Sequence, residues 1–342
     1  MEPGVGRHRP TVRRQPVRQT PHLPGSNRVL AMSQPESAVA DAQAGGRSGQ
    51  EPLAKLAKRY GLRRAIARPR FPVYLRQLWQ RRHFILTYAT SRNVTKYSNS
   101  ALGQLWQVLT PLLNAAIYYV MFGLILGGKG DIVNYPAFLL TGMFVFTYTQ
   151  RTVTAGAKSI SGNLSMIRAL HFPRASLPLA YTIQELQQLA ISMGVLFVIV
   201  VATGEWPTWF WLMIPVVLGL QTMFNIGAGL VVARLGAQMR DLNQLLPFIT
   251  RTWLYASGVF FSIQEKVVES AEMPQWVANV MYLNPAASYI EWMREILIGT
   301  YRPEFGHHPP PMVWMSCVFW AVFALGFGFW YFWRAEERYG RG

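Results

Sequence analysis

The stretch from Lys96 to Leu126, KYSNSALGQLWQVLTPLLNAAIYYVMFGLIL, constrains this chain more than any other. It begins polar and turns at Ala101-Leu102-Gly103. It then runs apolar for about the 20 residues a helix needs to cross the hydrocarbon of a bilayer. Gly103 allows a backbone turn that a residue with a side chain would resist, so a surface helix hands over there to a spanning one. Pro111 inside the apolar run is acceptable in a membrane helix, where neighbouring helices satisfy the freed carbonyl.

Several more apolar runs follow, and only 14% of the 342 residues are charged. Soluble domains carry about 25%. The expectation is an all-α, polytopic membrane protein with little room for a large soluble domain. The net charge of +17 is concentrated at one end. Nineteen of the 33 Lys/Arg but only four of the 16 Asp/Glu fall within residues 1–100. Beside a membrane domain, a basic arm reads as a cytoplasmic segment over anionic lipid rather than a nucleic-acid tail. The single cysteine, Cys317, lies in an apolar run and identifies no compartment.

Residues 1–52 have too few large apolar groups to fold alone and are expected to be disordered. No apolar core of a signal peptide precedes residue 70. Met32 reads as a natural start, which would make residues 1–31 the product of an upstream start codon. Residues 53–98 are expected to hold cytoplasmic and interface helices. From Pro72 to about residue 92, Leu75, Leu78, Trp79, Ile85, Leu86 and Ala89 recur at a 3.6 period, which predicts an amphipathic helix along the membrane surface.

Residues 99–338 form the expected membrane domain. Its six spanning helices are placed near 103–126, 135–156, 177–202, 207–233, 245–263 and 312–333. The second and fifth are less apolar. Arg151, Lys158, Arg168, Arg174, Arg234 and Arg240 fall on one side of the membrane, with Arg334, Arg338 and Arg341 of the tail. By the positive-inside rule both termini are cytoplasmic. The long outer segment 264–311 contains two short apolar runs broken at Asn284-Pro285, neither long enough to span. They read as two short helices dipping into the membrane, protected there by protein or a water-filled cavity. Two helices lying flat at the interface are the alternative.

No catalytic set, metal cluster or phosphate-binding Walker loop is visible, so the chain is not expected to bind ATP itself. On the inner side, SGNLSMIRALHFPRASLPLA reads as a short helix capped by Asn163. Its apolar side is Leu164, Ile167 and Leu170, and Phe172-Pro173 ends it. Such a helix suits docking in a groove of another protein. Asp241 likewise reads as a helix cap. Two ionisable residues, Glu185 and Arg251, sit at similar depth in expected spans. Unpaired charge is costly there, so a mutual salt bridge is expected, with Arg251 meeting an anionic head group as the alternative. Aromatics are dense and include Tyr118, Tyr119, Phe122, Phe144, Phe146, Tyr148, Trp253, Tyr255, Phe260 and Phe261. Most are expected in interfacial belts, and Tyr118, Tyr119, Phe122, Trp253 and Tyr255 are candidates to line a sugar-conducting pore.

Four segments together resemble a family: KYSNSALGQLWQVLTPLL, LHFPRASLPLA, MRDLNQLLPFITRTWLYASGVFFS and YLNPAASYIEWMREILIG. They are similar to the membrane subunit of type-2 ABC exporters for polysaccharides such as O-antigen and teichoic acid. The resemblance covers about residues 72–338 and is strongest to the actinobacterial galactan exporter. It implies a permease homodimer joined to two copies of a separate ATPase, which binds the ATP and magnesium. It implies a polyprenyl diphosphate-linked polysaccharide as cargo. By the same resemblance, Lys96, Tyr97, Ser100, Leu102 and Gly103 form a loop at the lipid head group. Asn163, Leu164, Ile167, Arg168, Leu170, Phe172, Pro173 and Arg174 form the coupling helix in the ATPase groove. Trp276, Tyr282, Asn284, Pro285, Tyr289 and Trp292 belong to an outer gate. A polyprenol-linked transferase and an ion channel are the competing classes; a transferase would need clustered acidic or His residues at one membrane face, and the pair Glu291 and Glu295 lies one helical turn apart on an outer amphipathic helix.

Overall fold

Helices in hydrocarbon gain nothing from hiding apolar surface, so they associate through close packing at small residues and through buried hydrogen bonds. The computed structural model describes residues 69–98, 102–125, 132–170, 172–239, 241–263, 275–302 and 312–339, which all fall in one unit, residues 65–342. Among these residues every regular element is helical. In chain order they are α1 (Phe71–Gln80), α2 (Arg82–Tyr97), α3 (Trp106–Tyr118, continued by a π-helical stretch Tyr119–Ile125), α4 (Tyr135–Ser161), α5 (Leu164–Ala169), α6 (Ser176–Ala202), α7 (Ile214–Gln238, entered through a 3-10 turn Trp209–Met213), α8 (Leu242–Tyr255), α9 (Gln275–Leu283), α10 (Pro285–Leu297) and α11 (Met312–Arg334). Short 3-10 turns follow α10 (Gly299–Tyr301) and α11 (Glu336–Arg338).

The centre is a stack of α4, α7 and α11, with α6 packed on α4 and α7 and with α2 laid along α6. Glycine permits the approach. A Cβ on Gly227 of α7 would lie 2.1 Å from the carbonyl carbon of Ala324 on α11. A Cβ on Gly156 of α4 would likewise lie 3.0 Å from the Cα of Gly229 on α7, closer than ordinary contact.

Four helices are long and apolar enough to cross a membrane: Trp106–Ile125, Ser176–Ala202, Trp209–Gln238 and Met312–Arg334. These correspond to the first, third, fourth and sixth expected spans. The second is α4, 27 residues or about 40 Å long. Its lower apolarity has a structural cause, because its polar residues face protein. Gln221 of α7 donates to the Val145 carbonyl (2.9 Å) and to Thr149 Oγ1 (3.0 Å), and the Tyr148 hydroxyl donates to Thr222 Oγ1 (3.0 Å).

The fifth expectation, a helix over 245–263, needs correction. The helix α8 ends at Tyr255 after 14 residues, about 21 Å, and contains Pro247. The chain then turns, with Gly258 at φ +63°, and presents the carbonyls of Gly258 and Val259 to the Arg294 side chain. Those acceptors serve a distant cation instead of prolonging a helix.

The expected single interface helix is two, α1 and α2, separated at Arg81. Their inner face is Tyr74, Leu78, Ile85 and Ala89, while Leu75, Trp79 and Leu86 are exposed. The segment has two apolar flanks, and periodicity alone does not say which one packs on the chain. α9 and α10 meet at Asn284-Pro285 as expected. α10 is no surface helix: Ala286–Ile290, Met293 and Arg294 are buried among α4, α7 and α11. The disordered arm, the Met32 start, residues 53–68 and the remainder of 264–311 lie outside the described residues.

Candidate functional site

Residues four apart on a helix share a face. On α2 this brings Tyr88, Arg92 and Lys96 into one row facing α6. Arg92 Nε donates to Gln184 Oε1 (3.1 Å), and its guanidinium lies over the ring of Tyr181, 4.0 Å from the centroid. Lys96 Nζ reaches Gln188 Oε1 (3.4 Å) and Glu185 Oε1 (4.0 Å). From α4, Arg151 also donates to Gln188 Oε1 (3.2 Å). Arg92, Lys96, Arg151, Gln184 and Glu185, with Lys158 of α4 and Arg251 of α8, line a cavity of about 680 Å³ between α2, α4, α6 and α8. Its charged lining is five cations, Arg92, Lys96, Arg151, Lys158 and Arg251, against one carboxylate, Glu185. The excess positive charge, with Gln150, Thr154 and Thr250 as neutral hydrogen-bonding groups, suits a multiply charged anion.

The expected Glu185–Arg251 salt bridge is not formed. Glu185 is buried, and its ion-pair partner is Lys96. Arg251 lines the same cavity from α8, is exposed, and has no ion-pair partner among the described residues. The reason is which helices adjoin α6: α2 and α4 pack directly on it and carry Lys96 and Arg151, whereas α8 packs on α4 and α7. Of the expected head-group loop, Lys96 lies in the cavity. Gly103 has the expected positive φ (+50°) and Leu102 is exposed beside it, but neither lines the cavity. Ser100 and the side chain of Tyr97 lie outside the described residues.

The expected coupling helix is shorter than 163–172. α5 has six residues, and Leu170 is extended. Asn163 does not cap it with its side chain. That amide instead accepts from the Tyr88 hydroxyl (2.9 Å) and donates to the Tyr181 hydroxyl (3.0 Å) and the Ser159 carbonyl (2.7 Å). Asp241 likewise makes no side-chain cap on α8. Leu164, Leu170 and Arg168 are exposed, but Ile167 is 6% exposed and packs with Tyr74, Leu78 and Phe332. Phe172 meets the ring of Phe84 at 5.7 Å.

Beyond Pro173, two distant segments converge on Glu336. Its carboxylate accepts from the Tyr74 hydroxyl (2.9 Å) and the Arg174 amide (3.0 Å), the Arg174 guanidinium donates to its backbone carbonyl, and the Ala175 amide donates to Tyr74 Oη (3.1 Å). Burial pushes the Glu336 carboxyl above its ordinary range, against the pull of these donors.

The aromatic candidates divide. Tyr118, Phe122 and Tyr255 gather around Phe260, at 4.8, 4.7 and 5.5 Å between centroids, and join α3 to the end of α8. Tyr119 turns instead to Tyr135, and Trp253 to Phe146. At the same end of α8, Asn284 Oδ1 caps α10 through the Ala286 amide (3.1 Å) and accepts from Trp253 Nε1 (2.8 Å), so it ties α8 to the α9–α10 corner. Tyr282 and Tyr289 are buried, Trp276 is exposed, and the Tyr289 hydroxyl donates to the Cys317 carbonyl (2.8 Å). Glu291, expected on an outer amphipathic helix, is buried beside Arg294 (3.3 Å).

Arg92 was not singled out from the sequence, and Arg151 and Lys158 were counted only as loop charges. The four-residue spacing of Tyr88, Arg92 and Lys96 was the signal that could have found the row.

Residues 85–298 match the family model described as ABC-2 type transporter. The chain is 26% identical over 237 residues to the O-antigen export system permease protein RfbA of Myxococcus xanthus, covering 69% of this chain and 85% of that protein. It is 28% identical over 224 residues to the O-antigen export system permease protein RfbA of Klebsiella pneumoniae, covering 65% and 83%. It is 26% identical over 185 residues to the capsule polysaccharide export inner-membrane protein CtrC of Neisseria meningitidis, covering 53% and 69%.

Proposed function

The chain belongs to the ABC-2 type transporter family as the membrane subunit of a polysaccharide exporter, and on that premise we propose that its cargo is a polysaccharide tethered to polyprenyl diphosphate. The observation that supports this reading is the cationic cavity. A diphosphate brings two or more negative charges next to an apolar tail, and it must be held at the edge of the hydrocarbon. One cation about 4 Å from such a charge contributes roughly 4 kcal/mol of attraction at an effective dielectric of 20. Five cations facing a single carboxylate leave enough uncompensated charge to draw the head group out of water.

The sugar chain would then follow past Tyr118, Phe122 and Tyr255, which surround the buried Phe260 and keep part of their own surface open for stacking on sugar C–H groups. The exposed apolar faces of α3 (Leu113, Ile117, Leu124) and α8 (Leu245, Phe248, Ile249), with the exposed Arg251 among them, are the seam we assign to a second copy of the chain. The proposed assembly has two copies of the permease and two of a separate ATPase that binds ATP and magnesium. It sits in the cytoplasmic membrane with six crossings and both termini inside. α4 is the second crossing, and α8 together with the turned, non-helical residues 256–263 that follow it makes the fifth. As polymer we assign cell-wall galactan, on the similarity of the chain to the actinobacterial galactan exporter and on its basic, Ala/Arg/Trp-rich character; the four motifs are shared with exporters of O-antigen and teichoic acid, which are cargo of the same chemical kind.

The test is replacement of Arg151 and Arg251 together by Gln. Export of the surface polymer should fall about tenfold or more, with lipid-linked polymer accumulating inside while the permease and its ATPase still purify together. Full export from that double variant would end the head-group reading. The identity of the accumulated sugar decides between galactan and the other polymers.

A further inference from the structure

The residue that opens the coupling segment is also joined to the cation row of the cavity. Backbone bonds already tie Asn163 at the start of α5, its amide to the Ile160 carbonyl (3.1 Å) and its carbonyl to the Ile167 amide (3.0 Å). Its side chain is therefore free for other work, and it bonds two tyrosine hydroxyls from different helices, Tyr88 of α2 and Tyr181 of α6. The rings of those same two tyrosines flank one guanidinium. Arg92 lies 5.7 Å from the centroid of Tyr88 and 4.0 Å from that of Tyr181. Arg92 and Tyr181 both line the 680 Å³ cavity, and Arg92 is fixed further by Gln184. A chain of direct contacts therefore runs from the first residue before α5, through both tyrosines, to a cation of the anion cavity.

We propose that Asn163 is a positioning residue that makes the anion affinity of the cavity depend on what is docked against α5. This inference rests on reading the cavity as a diphosphate site and α5 as the segment that meets the ATPase. Leu164 and Leu170 are exposed at either end of α5, so a partner seated there presses on a six-residue helix that is too short to absorb the push internally. Asn163 moves with it. Both tyrosine hydroxyls follow because they share one amide, and the two rings carry Arg92. Side chains in close contact repack between discrete arrangements rather than deform smoothly. Linkage then requires the effect to run both ways: whatever the docked ATPase does to head-group affinity, the bound head group does to ATPase affinity by the same factor.

The experiment measures the dissociation constant of undecaprenyl diphosphate for the permease in nanodiscs, alone and with its ATPase subunit bound. For the natural sequence the two constants should differ by about fivefold or more, the lower range of allosteric coupling. Tyr88→Phe removes only the hydroxyl that Asn163 accepts from and should bring the ratio close to one. Asn163→Ala should do the same. Gln187→Ala removes a different bond between α6 and α2, Gln187 Nε2 to Thr90 Oγ1 (2.9 Å), and should keep the natural ratio. A natural protein that binds no undecaprenyl diphosphate would end the reading of the cavity, and the proposal with it. A natural protein that binds it equally with and without the ATPase, or a Tyr88→Phe variant that keeps the natural ratio, would overturn the proposal and leave the cavity reading standing. If Asn163→Ala does not accumulate, Tyr88→Phe decides alone.

Discussion

Arg294 is fully buried and donates to three carbonyls, those of Phe138, Gly258 and Val259, and to the Glu291 carboxylate. Its cation also lies over the Phe138 ring. Glu291 in turn accepts from the Tyr301 hydroxyl. Removing one member of a buried charge pair strands the other, at a cost of about 3–5 kcal/mol. Arg294→Met should therefore lower the unfolding temperature of the detergent-solubilised protein severely. Arg302→Ala, at a partly exposed site over Phe210, should lower it far less, and equal losses would contradict this account. Glu336 makes a pH-dependent case. Burial raises its folded pKa above the ordinary carboxylate value near 4.5. Between that value and the raised one the native state binds the extra proton, so stability falls as pH rises through the window. Wild type should lose unfolding temperature relative to Glu336→Gln as pH climbs from about 4.5. A difference between the two proteins that stays constant with pH would refute the assignment. Neither residue stands out as a site in the sequence, because their partners are supplied by elements far away along the chain.

Among the elements, α7 is held from two sides by backbone-to-backbone contact. A methyl group at Gly227 would overlap the α11 backbone, which has no side-chain freedom with which to yield. Overpacking of this kind costs about 1–3 kcal/mol, and here it would separate two spanning helices. Gly227→Ala should reduce the folded yield and the unfolding temperature. Gly219→Ala on the same helix meets open space and should be neutral. Similar behaviour of the two variants would mean that α7 and α11 are not packed as described. A hydropathy pattern reveals that α7 and α11 are apolar and glycine-bearing, but not that Gly227 and Gly328 face one another.

For the whole molecule, the expected docking surface divides between two roles. Leu164 and Leu170 are exposed, while Ile167 belongs to the cluster beneath α1. Leu170→Asp should leave a folded permease that no longer purifies with its ATPase. Ile167→Asp should instead reduce the amount of folded permease itself, and the reverse pattern would exclude α5 as the docking element.

The amino-acid order by itself determined an all-helical membrane protein, the positions of four spanning helices, the turn at Gly103 and the corner at Asn284-Pro285. Each of these follows from interactions within a few residues of chain, between a helix and its solvent or a cap and its own backbone. Only the tertiary structure decided that Glu185 answers Lys96 and not Arg251, that Asn163 bonds two tyrosines instead of capping, and that α8 stops at Tyr255 to serve Arg294. Those outcomes depend on which helix lies beside which. In hydrocarbon that choice is made by steric fit and buried hydrogen bonds between distant segments, and the periodicity of a single helix carries no record of its neighbours.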